Sequence, residues 1–109
     1  MSKRGDLESL SDIKEAVRRI EVYIKKTSYR KFLKDIKTQD AVVRNLEIIG
    51  EAAKNMSDAL KKKYPNIQWK KLAGVRDRLI HHYFGVNYDV VWVIAKKELP
   101  EIILQIKEF

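Results

Sequence analysis

The chain of 109 residues contains no cysteine, two prolines, four glycines and two histidines. Absent cysteine excludes a disulfide framework, a thiolate nucleophile and a thiolate-bound zinc ion. No apolar run approaches the roughly 20 residues that a membrane span requires, and the opening MSKRGDLESL lacks the apolar core of a secretory leader. A cytoplasmic chain with no membrane partner is therefore expected. A glycine-rich phosphate loop and a Gly-x-Ser-x-Gly nucleophile turn are missing as well. At 12.8 kDa and 45% hydrophobic residues, the chain has material for one modest core, and a single domain over residues 1–109 is expected.

Positive charge is what the chain has in excess. It carries 23 Lys and Arg against 15 Asp and Glu, a formal net charge of +8. The surplus is unevenly placed: residues 1–37 hold 11 basic and 6 acidic groups, and residues 61–82 hold 7 basic and 1 acidic. The remainder is slightly acidic. A polyanion such as RNA suits that distribution, because each phosphate contact releases condensed counterions. Lys-rich faces that merely keep a small protein soluble account for the charge equally well, so the balance alone does not decide.

Helical periodicity organises the chain. Leu7, Leu10, Ile13, Val17, Ile20 and Ile24 recur at spacings of three and four, which predicts an amphipathic helix over about 7–26. The basic stretch SYRKFLKDIK follows, with Tyr29, Phe32, Leu33 and Ile36 as its apolar positions. It reads as a short separate helix or a bent continuation. Thr38 is the expected N-cap of a second long helix whose stripe, Val42, Leu46, Ile49, Ala53, Met56 and Leu60, has the spacing of a helix–helix interface. Pro65 and Asn66 break the pattern in a loop. Helix signal resumes from about Lys70 through Leu72, Val75, Leu79 and Tyr83, until Gly85 and Asn87 offer an end and a new cap. A last helix runs from Tyr88 to Ile106, with a kink or restart at Pro100. The expected fold is an all-α antiparallel bundle of four principal helices with a short accessory helix.

The candidate chemistry sits at the end of the second basic block. His81 and His82 are the chain's two histidines, and they lie beside Arg76, Arg78 and Tyr83. Arginine offers fixed donors to phosphate oxygens, and histidine exchanges protons near neutral pH. The combination suits phosphodiester cleavage. On a helix, Asp77 would lie four residues from His81 and orient it, whereas His82 has Arg78 at that spacing, which disfavours imidazolium. His81 is the better acid or base. Five residues separate it from Arg76, a rotation of about 140° on an ideal helix, so one helix does not aim both at one point. A site completed by a second copy across a two-fold axis resolves this. Lys70, Lys71 and Arg78 are candidate RNA contacts, while Lys61, Lys62 and Lys63 read as a solvated helix end or an RNA-steering cluster. Trp69 and Trp92 read as packing residues rather than stacking platforms. With a single acid in the block and two adjacent histidines, the donors make a poor metal cage, so no metal and no cofactor are expected.

Arginine, four residues, histidine, one residue and tyrosine, here Arg76, His81 and Tyr83, resemble the signature of HepT-like HEPN toxins. The similarity extends to Arg44, Asn45, Glu47, Ile49, Gly50, Glu51 and Ala52, to the YPNIQW loop of Tyr64 to Trp69, to Gly74, to the stretch from Tyr83 to Trp92, and to Leu99 with Pro100. It covers roughly residues 38–104. The resemblance implies a HEPN-like fold and a homodimeric, metal-independent ribonuclease acting as the toxin of a toxin–antitoxin pair. It makes Arg76 and His81 catalytic, with Asp77 at the polar position after the motif arginine. It makes Tyr83 the residue that an MntA-like nucleotidyltransferase antitoxin modifies with AMP. His82 fills a variable position. Two other readings remain: a non-catalytic HEPN module that binds a nucleotidyltransferase or nucleotide, and a basic scaffold that binds nucleic acid.

Overall fold

A computed structural model describes residues 5–79 and 85–106, and every regular element among them is helical. Helix α1 (Asp6–Ile24) and helix α3 (Ile36–Lys54) form the central pair. They run antiparallel: the Asp6 carboxylate at the start of α1 accepts from the Ser57 N–H at 2.9 Å and the Ser57 hydroxyl at 2.6 Å, just beyond the end of α3. Leu10, Ile13, Val17, Ile20 and Ile24 of the α1 stripe are buried as the spacing predicts, whereas Leu7 is 80% exposed. Between the long helices lies the single-turn α2 (Tyr29–Phe32), a separate element capped by the Ser28 hydroxyl. Of its expected apolar positions only Phe32 enters the core; Tyr29, Leu33 and Ile36 stay on the surface.

Two boundaries differ from expectation. The cap of α3 is Asp35 rather than Thr38: its carboxylate accepts from the Thr38 N–H at 3.1 Å and the Thr38 hydroxyl at 2.6 Å. Those bonds also hold the Asp35 carboxyl below its usual pKa. An ionised cap accepting two bonds wins over a hydroxyl cap three residues later. At its other end α3 stops at Lys54, because Ser57 caps a new short helix, α4 (Asp58–Lys63), through the Leu60 N–H at 3.2 Å. Val42, Leu46, Ile49, Ala53 and Met56 are buried, while Leu60 belongs to α4 and only packs against the core's edge.

The loop at Pro65 leads into α5 (Trp69–Ala73) and α6 (Val75–Leu79), two short helices laid across α3 and divided at Gly74. The final helical run is α7 (Tyr88–Val93), a π-helical turn over Ile94–Glu98, and α8 (Leu99–Ile106). Asn87 caps α7 as predicted, accepting from the N–H groups of Asp89 and Val90. The widened turn lies directly before Pro100, which has no N–H to give and whose ring crowds the carbonyl four residues back. Val91, Ile94, Ala95 and Leu99 then bury against the α1–α3 pair. Four principal helical segments with short accessory helices thus reproduce the expected all-α bundle. No helix among the described residues is long and apolar enough to cross a membrane.

Candidate functional site

The segment bearing the candidate residues is placed by its apolar side. Trp69 is buried and its indole N–H donates to the Tyr64 carbonyl at 3.0 Å, fixing the start of α5 as a packing residue would. Leu72, Val75 and Leu79 follow it into the core. Close approach is possible because α3 presents Gly50 here: a Cβ on that residue would lie 2.9 Å from Val75 Cγ1 and 3.3 Å from the Leu72 carbonyl oxygen. With Val75 and Leu79 inward, Arg76, Asp77 and Arg78 are left on the exposed side of α6.

Arg76 and Arg78 then diverge. Arg76 lines an open groove of about 300 Å³ with Ser9 and Asp12 of α1, and with Arg44, Glu47, Ile48, Glu51 and Ala52 of α3. Among the described residues neither Arg76 nor Arg44 forms an ion pair. Two guanidiniums facing one groove, with carboxylates nearby to offset their repulsion, can receive a phosphate without first breaking a salt bridge.

Arg78 points the other way. Its guanidinium donates to both carboxylate oxygens of Glu98, at 2.9 and 2.7 Å, and Lys71 Nζ lies 3.3 Å from the same carboxylate. The Arg78 hydrogen bonds, followed by that of Lys71, hold the Glu98 carboxyl below its ordinary value against the opposing effect of partial burial. The same fork raises the Arg78 pKa. This cluster borders a smaller cavity of about 100 Å³ floored by Leu46, Ile49, Leu72 and Leu99. Of the expected RNA contacts, Lys71 and Arg78 are therefore engaged in a structural tie to the π-helical turn, and Lys70 is exposed on α5.

His81, His82 and Tyr83 lie outside the described residues. The chain on either side of them is closed: the Asn87 N–H donates to the Leu79 carbonyl at 2.7 Å, and Gly85 takes φ +84°, a left-handed value that glycine adopts without strain. Leu79 and Asn87 thus lie together at the end of α6, beside the residues that carry Arg76.

The groove also contains residues that the chemistry-first reading of the sequence did not single out. Arg44, Glu47 and Glu51 were notable there only for family similarity. Their signal is a polar stripe on α3, Arg44, Glu47 and Glu51 at spacings of three and four and continued by the C-cap Asn55, on the side away from Val42, Leu46 and Ile49. Trp92, half-buried, rests 5.2 Å from Phe32 and 5.9 Å from Tyr29 between ring centroids, with Lys96 Nζ 5.1 Å from its face. Packing accounts for it.

A protein of Methanocaldococcus jannaschii, provisionally described as an RNase, is 44% identical over 108 residues, covering 99% of this chain and 89% of the relative. The probable ribonuclease HepT of Thermococcus cleftensis is 45% identical over 100 residues, covering 92% of this chain and 91% of its own. A protein of Caldanaerobacter subterraneus, also provisionally described as an RNase, is 48% identical over 85 residues, 78% of this chain and 76% of the relative. No solved structure matches. The model of the family "Ribonuclease HepT-like" matches residues 13–109, a span that includes the groove arginines and the whole candidate motif, and the chain belongs to that ribonuclease family.

Proposed function

We propose that the chain is a metal-independent endoribonuclease, the toxin of a toxin–antitoxin pair, and that Arg76 and His81 carry its chemistry. The observation that carries this reading is the Arg76 guanidinium, free of ion pairs among the described residues and facing an open groove in a chain of the ribonuclease family. In the proposed reaction a ribose 2′-oxygen attacks the adjacent phosphorus, and the bond from phosphorus to the 5′-oxygen breaks. The 2′-hydroxyl proton leaves to a base and the 5′-oxygen receives one, with His81 serving one of those transfers. Arg76 stabilises the charge gathered on the phosphoryl oxygens. The products are a 2′,3′-cyclic phosphate and a 5′-hydroxyl.

A homodimer is the proposed active form, the second copy closing the groove and completing the site. Tyr83 is the proposed point of control. A nucleotidyltransferase antitoxin would join its phenolic oxygen to the α-phosphorus of ATP, with release of pyrophosphate. The added AMP places a phosphate and a nucleoside near the motif arginine, where they compete with RNA.

The test is cleavage of a defined single-stranded RNA in EDTA. Arg76→Ala and His81→Ala are expected to lower the rate by about 100-fold or more while the thermal midpoint stays unchanged. Wild-type products should carry the cyclic phosphate. Cleavage that requires magnesium, or that survives both substitutions, rejects the mechanism; binding without any cleavage by the wild-type chain favours a non-catalytic module.

A further inference from the structure

The first block of positive charge is not used by the groove. Within residues 21–37 the cations are Lys25, Lys26, Arg30, Lys31, Lys34 and Lys37, and the carboxylates are Glu21 and Asp35. All six cations are exposed, and none forms an ion pair among the described residues. By contrast, Arg18 and Arg19, nearly two turns before Lys25 on α1, are both tied to Glu15. Asp35 caps α3 and keeps its charge, and among these six cations it acts on Lys37.

The fold gathers these groups at one place. The last turn of α1, the single turn of α2 and the first turn of α3 succeed one another with short connections, so their side chains share one end of the α1–α3 pair. The same end leaves Tyr23, Leu33 and Ile36 exposed, at 38%, 42% and 71%, while Tyr29, 42% exposed, rests against Trp92 and donates its hydroxyl to Asp89. Cations without ion pairs among the described residues, beside the exposed Tyr23 ring, form a surface that takes both the phosphates and the bases of a flexible strand. The groove lies toward the other end of the pair: Asp12 and Lys25 are 13 residues apart on α1, which at 1.5 Å per residue is about 20 Å.

We propose that this end of the molecule is an RNA-docking surface separate from the cleavage groove, which holds single-stranded substrate at a distance from the bond that is cut. The proposal rests on RNA being the substrate. It does not depend on Arg76 or His81, since binding is measured without cleavage.

The experiment uses the full chain carrying His81→Ala and a fluorescently labelled single-stranded RNA of about 20 nucleotides, titrated by anisotropy over a range of salt concentrations. Lys26→Gln, Lys31→Gln and Lys34→Gln together should reduce the slope of log K against log salt by about 2, since each lost phosphate contact removes about 0.7. A matched triple that removes the same charge at dispersed exposed sites, Arg19→Gln, Lys54→Gln and Lys97→Gln, should change it by less than half as much. Tyr23→Ala should weaken binding roughly fivefold with the slope retained, because stacking releases no counterions. Equal losses in the two triples would overturn the proposal, making the charge a bulk property. Poly-L-glutamate of matched length that binds as tightly as RNA, through the same lysines, would overturn it in favour of an acidic protein partner. In wild-type cleavage assays, the first triple should raise KM for the long RNA and leave cleavage of a dinucleotide unchanged.

Discussion

Arg76 and Arg78 are two residues apart with the same charge, and a rotation of about 200° on α6 separates their roles. Arg78 is bound on both oxygens of Glu98, so its removal leaves a partly buried carboxylate with Lys71 as its remaining partner. Arg78→Ala is expected to lower stability by about 1 kcal/mol at neutral pH, discounted because the Arg78 side chain is 35% exposed. The pH dependence follows from the direction of the Glu98 shift. Its folded pKa lies below the ordinary 4.5, so the stabilisation is complete above that value and disappears as pH falls through the folded one. Urea titrations of wild type and Glu98→Gln should therefore differ most above pH 4.5 and converge in acid; a constant difference across that window would show that the pair does not titrate as described. The pairing itself was not legible in the sequence. Helix periodicity relates neighbours three and four apart, and Arg78 meets Glu98 twenty residues later because α6 packs beside α7, which leads into the π-helical turn.

At the scale of elements, legibility follows the range of the interaction. The α1 and α3 stripes and the Asn87 cap were readable because burial and capping repeat at local spacings. The end of α3 was not, since Met56 and Leu60 continue its apolar spacing while Ser57, bonded to Asp6 at the start of α1, restarts the helix. Gly50 is a further case: the sequence offers a glycine inside a helix, and only the tertiary structure gives the reason, which is the passage of α5 and α6 across its missing side chain. In an isolated helix Gly→Ala would be favourable. Here the new Cβ would stand 2.9 Å from Val75 Cγ1 and 3.3 Å from a backbone oxygen, so either α3 or the α5–α6 pair must shift. Gly50→Ala is expected to cost about 1–3 kcal/mol and to lower ribonuclease activity by moving Arg76 relative to Arg44. Denaturant titration with a parallel cleavage assay checks it, and a variant as stable and active as wild type would remove the close-approach argument.

For the whole molecule, the question is how a 12.8 kDa chain encloses a reaction that needs a phosphate-binding group and a proton-transfer group at one phosphodiester. Its extents are 41 × 30 × 24 Å, and the groove that receives Arg76 opens along the surface of the central helix pair, where water has free access. A second copy against that surface would exclude water and strengthen each electrostatic contact within the groove. If Arg76 of one protomer acts with His81 of its partner, the two inactive variants should complement each other. Equal amounts of Arg76→Ala and His81→Ala chains, allowed to exchange, form about half heterodimers, each with one intact site of two, so about a quarter of wild-type activity should return. Were Arg76 and His81 of the same protomer the working pair, every dimer in the mixture would lack an intact site and no activity would return. Size-exclusion chromatography with light scattering supplies the accompanying measurement. A chain that remains monomeric at assay concentration while cleaving RNA would show that one copy suffices, and the groove among Arg44, Glu51 and Arg76 would then have to complete its site with residues of the same chain.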